Sequence, residues 1–462
     1  IREEQPIKLA IPSNLGMLPD PLTFDSSFPF EIRTGNVMRD WNKDYMFGYQ
    51  FLNGCNPVMI RKCMKLPDKF PVTHEMVKGC LKKGSTLREE LQAGNVYIVD
   101  YEILKGVPAK KMSCLPLLYL NQLSQTPGAM SPIFLPSDNT HIWMLAKMWV
   151  KSSDFHVHQL VTHLLKTHLV SEVFELAMYR QLAAVHPVYK VPVFQHTVMI
   201  FRFRAKLEIV VSCTSINGAG MGKLIQNAMK TLTYKSLCFP EDIKARGMED
   251  VPNYYYRDDG MRIWEAIHCF VSAVVKIYYD SDEAVQKDVE IQEFVKDVAC
   301  FGMNNSDNFP KSLTSREQLV EYLTAVIFTA SAQHAAVNFG QFDWYGWIPN
   351  GPSTMRKPPP QQKGQVDMKY IMESLPDRRS SSEVLGTVWA LSQTQKNEVC
   401  CLIHIHFSLQ TVENMARSKQ RSLIRSTKRG FVKKNVGGFQ YKPRGDWFSF
   451  AKVRVLCFLC SC

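Results

Sequence analysis

Three histidines recur at five-residue intervals within one apolar stretch. They are His158, His163 and His168, in Phe155-His-Val-His-Gln-Leu-Val-Thr-His-Leu-Leu-Lys-Thr-His-Leu-Val-Ser-Glu-Val-Phe174. Imidazole is the commonest metal-ligating side chain. On a regular α-helix five residues turn through about 500°, which leaves two imidazoles about 140° apart. They converge only where the helix is locally widened. A π-type bulge, with i→i+5 hydrogen bonds, does this, and such bulges are frequent at functional sites. The alternative is a set of unrelated histidines, one or two of them held in the core by hydrogen bonds.

A second polar pair closes the clearest amphipathic pattern in the chain. After the capping-box sequence Ser315-Arg-Glu-Gln318, Leu319, Leu323, Val326, Ala330, His334, Val337 and Gln341 follow at helical spacing. His334 and Asn338 are four apart, about 40° around a helix, so they share a face. Polar groups on an apolar stripe are costly unless satisfied. A buried hydrogen-bonded pair and a pair of metal ligands both satisfy them. With His163 and His168 they make a neutral nitrogen and oxygen set without thiolate. Imidazole suits iron, copper, nickel and zinc, and a sulfur-free site with open positions favours non-haem iron.

The elements around these residues read mainly as helix. Ser152, Ser153 and Asp154 are N-cap residue types, which predicts a helix from there to His186-Pro187. Further helices are predicted near 223–232, 258–280, 283–300, 315–338 and 385–391. Residues 1–36 read as extended or loop. Met46 to Pro57 mixes aromatics with turn residues and reads as a docking loop. Asn95 to Tyr101 alternates as a strand does, and Pro132 to Pro136 is extended. Gly218-Ala-Gly-Met-Gly222-Lys223 reads as a glycine-rich turn, with the wrong spacing for a phosphate loop. Pro358 to Pro360 reads as a surface loop.

Composition sets wide bounds. The 462 residues carry ordinary hydrophobic and charged fractions, 45% and 21%, and no run of 18 apolar residues predicts a membrane span. Thirteen cysteines are scattered without zinc-site pairing, which fits reduced thiols and a cytoplasmic location. Of the net +12, ten charges fall in residues 411–462, where twelve Lys and Arg meet two acids. Such a tail attracts nucleic acid or anionic lipid in principle. It is read as solvated chain, with no nucleic-acid partner expected.

The motifs taken together resemble one family. His158-Gln-Leu-Val-Thr-His163-Leu-Leu-Lys-Thr-His168-Leu-Val-Ser-Glu and Gln333-His334-Ala-Ala-Val-Asn338-Phe-Gly-Gln341-Phe-Asp-Trp344 are similar to the animal lipoxygenases, and within them to arachidonate 5-lipoxygenases. Phe47 to Pro57, Pro132 to Ser137, Thr231 to Pro240, Tyr255 to Gly260 and Trp347 to Asn350 carry the same resemblance. It covers residues 37–420 as one catalytic domain, flanked by divergent segments at 1–36 and 421–462. It implies a mainly α fold, a helical bundle around long central helices with minor β elements.

The resemblance also implies chemistry. One non-haem iron would be held by His163, His168, His334 and Asn338, with Gln341 and His158 just behind. Phe155, Gln159, Leu164, Leu169, Ala205 and Leu391 would line a fatty-acid channel, Ala205 matching with a gap. The implied reaction is dioxygenation of a polyunsaturated fatty acid such as arachidonate. A hydrogen atom leaves the carbon between two double bonds, and O2 adds to give a hydroperoxide that feeds leukotriene synthesis. Peripheral membrane contact, including the nuclear envelope, goes with this role. The family's N-terminal β-barrel and its C-terminal isoleucine carboxylate ligand have no match in these residues. Glu383-Val384 replaces a Trp-His pair beside the channel. Two expectations therefore stand: an iron dioxygenase, and a lipoxygenase-like chain that acts only by binding.

Overall fold

The computed structural model describes residues 32–109, 133–189 and 216–392, apart from 305, 361–363 and 365. Ala205, the cysteine cluster at 457–462 and the basic tail lie outside the described residues. What is described is mainly helical, as expected.

The site is carried by two long helical runs. α1 is Asp44–Asn53. α2 is the continuous run 140–181: Thr140–Val157, then the π segment His158–Leu169, then Val170–Gln181. Almost every residue between 151 and 165 is buried, so this run passes through the core rather than over it. α3 is Tyr255–Tyr278. α4 is the run 316–338, in which the π turn Thr329–Gln333 separates Arg316–Phe328 from His334–Asn338. α5 is Gln341–Tyr345 and α6 is Arg378–Ser392. The described β structure is one antiparallel pair, β1 Arg61–Lys62 with β2 Tyr97–Ile98, in register Arg61↔Ile98, and an isolated antiparallel bridge Ala109↔Ile216.

α3 shows why the bundle holds. Tyr256, Gly260, Ile263, Trp264, Ile267, Val271, Val274 and Val275 are buried at 3–4 spacing, one apolar stripe. Trp264 meets Phe328 of α4 edge-on at 5.4 Å, and Phe239 meets Phe328 at 4.9 Å and Tyr256 at 5.2 Å. Such offset aromatic contacts add to the area they bury. A Cβ on Gly260 would sit 2.2 Å from the Phe239 ring, so glycine sets how closely α3 approaches.

Several sequence-based expectations need correction. The helix around the histidines starts at Thr140, where the Asn139 side chain accepts from His141 N. Ser152, Ser153 and Asp154 lie inside it and are buried. Ser153 donates to the Trp149 carbonyl, and Asp154 accepts from Asn56 and Tyr101. Cap-type residues here satisfy the interior, not a helix end. The same run stops at Gln181 rather than at His186, because Ala183 N turns out to donate to the Glu290 carboxylate. Gly218 to Gly222 is the first turn of the helix Gly218–Met229, capped by Asn217. Residues 46–53 are helix rather than docking loop, and helix Ile32–Asp40 takes in the end of the 1–36 segment. The 95–101 strand shortens to two residues because Asp100 accepts from Glu102 N and turns the chain. The 283–300 helix is broken at Asp288, which caps Val289–Asp297.

Asp288 also provides a test of packing. It accepts from Ile291 N, Tyr279 OH (2.6 Å) and His186 Nε2 (3.1 Å), and despite partial burial these bonds hold its pKa down at about 2. A carboxylate held below its ordinary value stabilises the fold above about pH 4 and loses that contribution as pH falls through about 2. Asp288→Ala is expected to cost about 1–2 kcal/mol at pH 7. Urea unfolding should show the gap from the native chain closing between about pH 4 and pH 2.

Candidate metal centre

The π segment of α2 is what makes the five-residue spacing workable. With i→i+5 winding, residues five apart complete about one turn. Thr167 donates its hydroxyl to the carbonyl of His163, four residues back. In α4, Ser331 donates likewise to Ile327 O at 2.6 Å. Hydroxyls bonded back to i−4 carbonyls open the ladder and bend helices, and each lies within a π segment.

The imidazoles that follow converge. His163 Nε2 lies 3.2 Å from His168 Nε2, and His334 Nε2 lies 3.1 Å from His168 Nε2. One ring nitrogen from each of the three falls within 4.8 Å of the others, and all three are buried. Burial, aided by the neighbouring His334 and His158, pushes His163 well below the usual histidine range, so it presents a neutral lone pair. A single Nε2 has one proton or one lone pair. His168 therefore cannot make two good hydrogen bonds at that atom, although two nitrogens approach it. Three neutral imidazole nitrogens this close together would instead hold an ion, which such nitrogens coordinate at about 2.0–2.1 Å. Among the described residues this trio is the cluster of His, Cys, Asp and Glu that could hold a metal, and its donor set suits iron.

The other expected residues divide. Asn338 is buried one turn beyond His334; its Oδ1 accepts from Gln341 Nε2 (2.8 Å) and its Nδ2 donates to Leu391 O (3.1 Å). Gln341 in turn accepts from Gln159 Nε2 at 2.6 Å. One chain of amides thus links the π segment, α4, α5 and the end of α6. His158 stays out of the trio. Its Nε2 bonds the Val337 carbonyl at 2.7 Å. A carbonyl only accepts, so that nitrogen carries the proton, and burial brings the ring down to about pH 4. His158 is a cross-brace between the two ligand helices.

Leu164 and Leu391 are buried in the main core, and Leu169 is half-buried against it. Phe155 packs edge-on to Tyr345 at 5.0 Å in a neighbouring cluster. Sequence reasoning missed Asn56, Tyr256 and Asp154. Asn beside Gly and Pro reads as a turn, and nothing in spacing announces that such an amide is buried.

A family profile described as lipoxygenase matches residues 117–407. The chain belongs to the lipoxygenase family. The lipoxygenase relatives include mouse polyunsaturated fatty acid lipoxygenase ALOX8, 43% identical over 432 residues, covering 87% of this chain and 64% of the relative. Human polyunsaturated fatty acid lipoxygenase ALOX15B is 45% identical over 386 residues, covering 78% and 57%. Mouse hydroperoxide isomerase ALOXE3 is 44% identical over 389 residues, covering 78% and 55%. This lipoxygenase chain thus spans about three-fifths of the length of the curated relatives it matches. Among solved structures, a calcium-dependent 11R-lipoxygenase superposes with TM-score 0.81 at 32% identity, over 92% of this chain and 66% of that one. A lipoxygenase in complex with arachidonate gives TM-score 0.78 at 32% identity, over 88% and 66%.

Proposed function

We propose that this lipoxygenase chain is a non-haem iron dioxygenase of polyunsaturated fatty acids, arachidonate among them. The convergence of three buried imidazoles from two π-interrupted helices carries the reading. His163, His168 and His334 would hold the iron, with the Asn338 amide beside them. When bound, the iron supplies one-electron and O2 chemistry that no side chain can. The chain's residues do the rest. Neutral ligands keep charge donation low, which favours an oxidising centre. The amide chain from Gln159 through Gln341 to Asn338 fixes the ligand helix against the π segment. Phe155, Leu164, Leu169 and Leu391 supply apolar surface that excludes water and registers an acyl chain.

The finer assignment is regiochemistry. The resemblance of the His158 to Glu172 and Gln333 to Trp344 motifs to arachidonate 5-lipoxygenases is what supports a 5-lipoxygenase-like product and a place early in leukotriene synthesis. We propose a cytoplasmic location with peripheral membrane contact; six described cysteines are free thiols, and no described helix is long and apolar enough to cross a membrane.

The test is direct. The purified chain should bind about one iron and convert arachidonate, with O2 uptake, to a conjugated-diene hydroperoxide whose position chiral chromatography assigns. A folded, iron-loaded chain that consumes neither arachidonate nor O2 would overturn the enzyme reading and leave the binding-only one.

A further inference from the structure

The π segments of α2 and α4 are each tethered through the residue just before a ligand histidine, Thr162 in one and Gln333 in the other. Both tethers lead back to the same five residues, Asn53-Gly-Cys-Asn-Pro57. On one side Thr162, which precedes His163, donates to Asn56 Oδ1 at 2.9 Å. Asn56 Nδ2 donates to Asp154 Oδ1 at 2.8 Å. One buried amide thus spans the junction at which α2 widens from α to π.

On the other side Gln333, which precedes His334, accepts from Tyr256 OH at 2.6 Å. Tyr256 is fixed by Asn53. The Oδ1 of Asn53 accepts from Tyr255 N (2.9 Å) and Tyr256 N (3.4 Å), and its Nδ2 donates to Asn253 O (2.9 Å). Asn253 sits at φ +58°, in the left-handed region that non-glycine residues enter at a cost. The Pro57 carbonyl accepts from Tyr254 OH at 2.6 Å. Gly54 joins the two asparagines by a turn too tight for a side chain, since a Cβ there would lie 2.4 Å from Gln50 O. Both asparagines are nearly inaccessible, 1% and 2% exposed.

We propose that Asn53 and Asn56 are positioning residues for the metal ligands, a single brace that sets the angle between the His163 turn and the His334 turn. The proposal rests on reading the trio as a metal centre. Its physical reason is local. In a π segment the i→i−4 ladder is interrupted, so the backbone there is freer to rotate than in the flanking α-helix. A tether one residue before the ligand removes that freedom where it would move the imidazole most. Outer partners that orient metal ligands cost 10–100-fold in affinity when lost.

Cobalt(II) provides the probe, because its affinity and visible ligand-field spectrum report ligand geometry without turnover. Asn56→Ala and Thr162→Val are each expected to weaken cobalt binding to the full chain about 10–100-fold and to alter its spectrum. Tyr256→Phe should do the same through the other leg. Thr162→Ser keeps the hydroxyl and should restore the native spectrum. Asp288→Ala, remote from the brace, should lower the melting temperature and leave the spectrum alone. Asn56→Ala and Thr162→Val with native affinity and spectrum would overturn the proposal, and Thr162→Val carries the test if Asn56→Ala does not fold. Hydrogen exchange in the metal-free chain separates the brace from the metal reading. Asn56→Ala should speed exchange across 158–169. If the native chain bound no cobalt, the metal reading would fall, and unchanged exchange across 158–169 would sink the brace as well.

Discussion

His334→Ala is expected to abolish metal binding, taking bound iron from about one per chain to background and fatty-acid oxygenation with it. The loss should exceed the 10–100-fold that an outer partner is worth, because His334 is itself one of the three imidazoles that converge among the described residues. The metal-free stability should behave differently. The His168 Nε2 is approached by two nitrogens at 3.1 and 3.2 Å, and one ring atom satisfies one partner well. Removing His334 relieves that conflict while giving up a buried contact, so the apo proteins should melt within a few degrees of each other. Metal separates them. A ligand that binds only the folded state stabilises it by about 2.7 kcal/mol at a hundred times its dissociation constant. Calorimetry should show that increment in the native chain and none in His334→Ala. His158→Ala is the informative contrast. It loses a bond to Val337 rather than a ligand, so it should still bind metal and still gain stability from it. A His334→Ala chain that loads iron normally would remove the trio from consideration.

The widened helix was legible because the anomaly was geometric, while the choice of His163 and His168 to join His334 came from the family resemblance. Three histidines at five-residue spacing fit one kind of helix, and the structure has that helix at His158–Leu169. The second ligand helix was legible from its stripe and its Ser315 cap, whose hydroxyl accepts from Gln318 N. The support around them was not legible. Ser, Asp and Asn bond backbone groups at helix ends and side chains in the interior with equal facility, so Ser152 to Asp154 read as a cap. Asn53 and Asn56 beside Gly54 and Pro57 read as turn residues of a docking loop for the same reason. Their partners are about a hundred to two hundred residues away in the chain: Asp154, Thr162, Asn253 and Tyr255. Local sequence holds no record of such pairings. The channel is harder still, since Leu164, Leu169 and Leu391 are apolar whether they line a slot or fill a core.

Asp154→Ala is expected to be among the most destabilising single changes, at about 3–5 kcal/mol. The carboxylate is buried with Lys151, whose Nζ lies 3.7 Å away, and accepts from Asn56 (2.8 Å) and Tyr101 (2.9 Å). Burial pushes the Asp154 pKa up and the Lys151 pKa down, which is the signature of two charges that would each rather be in water. Such a pair is a weak source of net stability, yet removing one member strands the other. Asp154→Ala leaves Lys151 with the face of Phe51, 5.2 Å away, for compensation, and leaves Asn56 and Tyr101 without their acceptor. Lys151→Met should also be costly, because it leaves an unbalanced buried carboxylate. The double variant Lys151→Met with Asp154→Asn should cost much less than Lys151→Met alone and Asp154→Asn alone added together. It removes both charges while the asparagine Oδ1 still accepts from Asn56 and Tyr101. Urea unfolding of the four proteins gives the coupling energy. Near-additive costs would mean that the charges do not balance each other, and that Asp154 serves only as a hydrogen-bond acceptor for the brace.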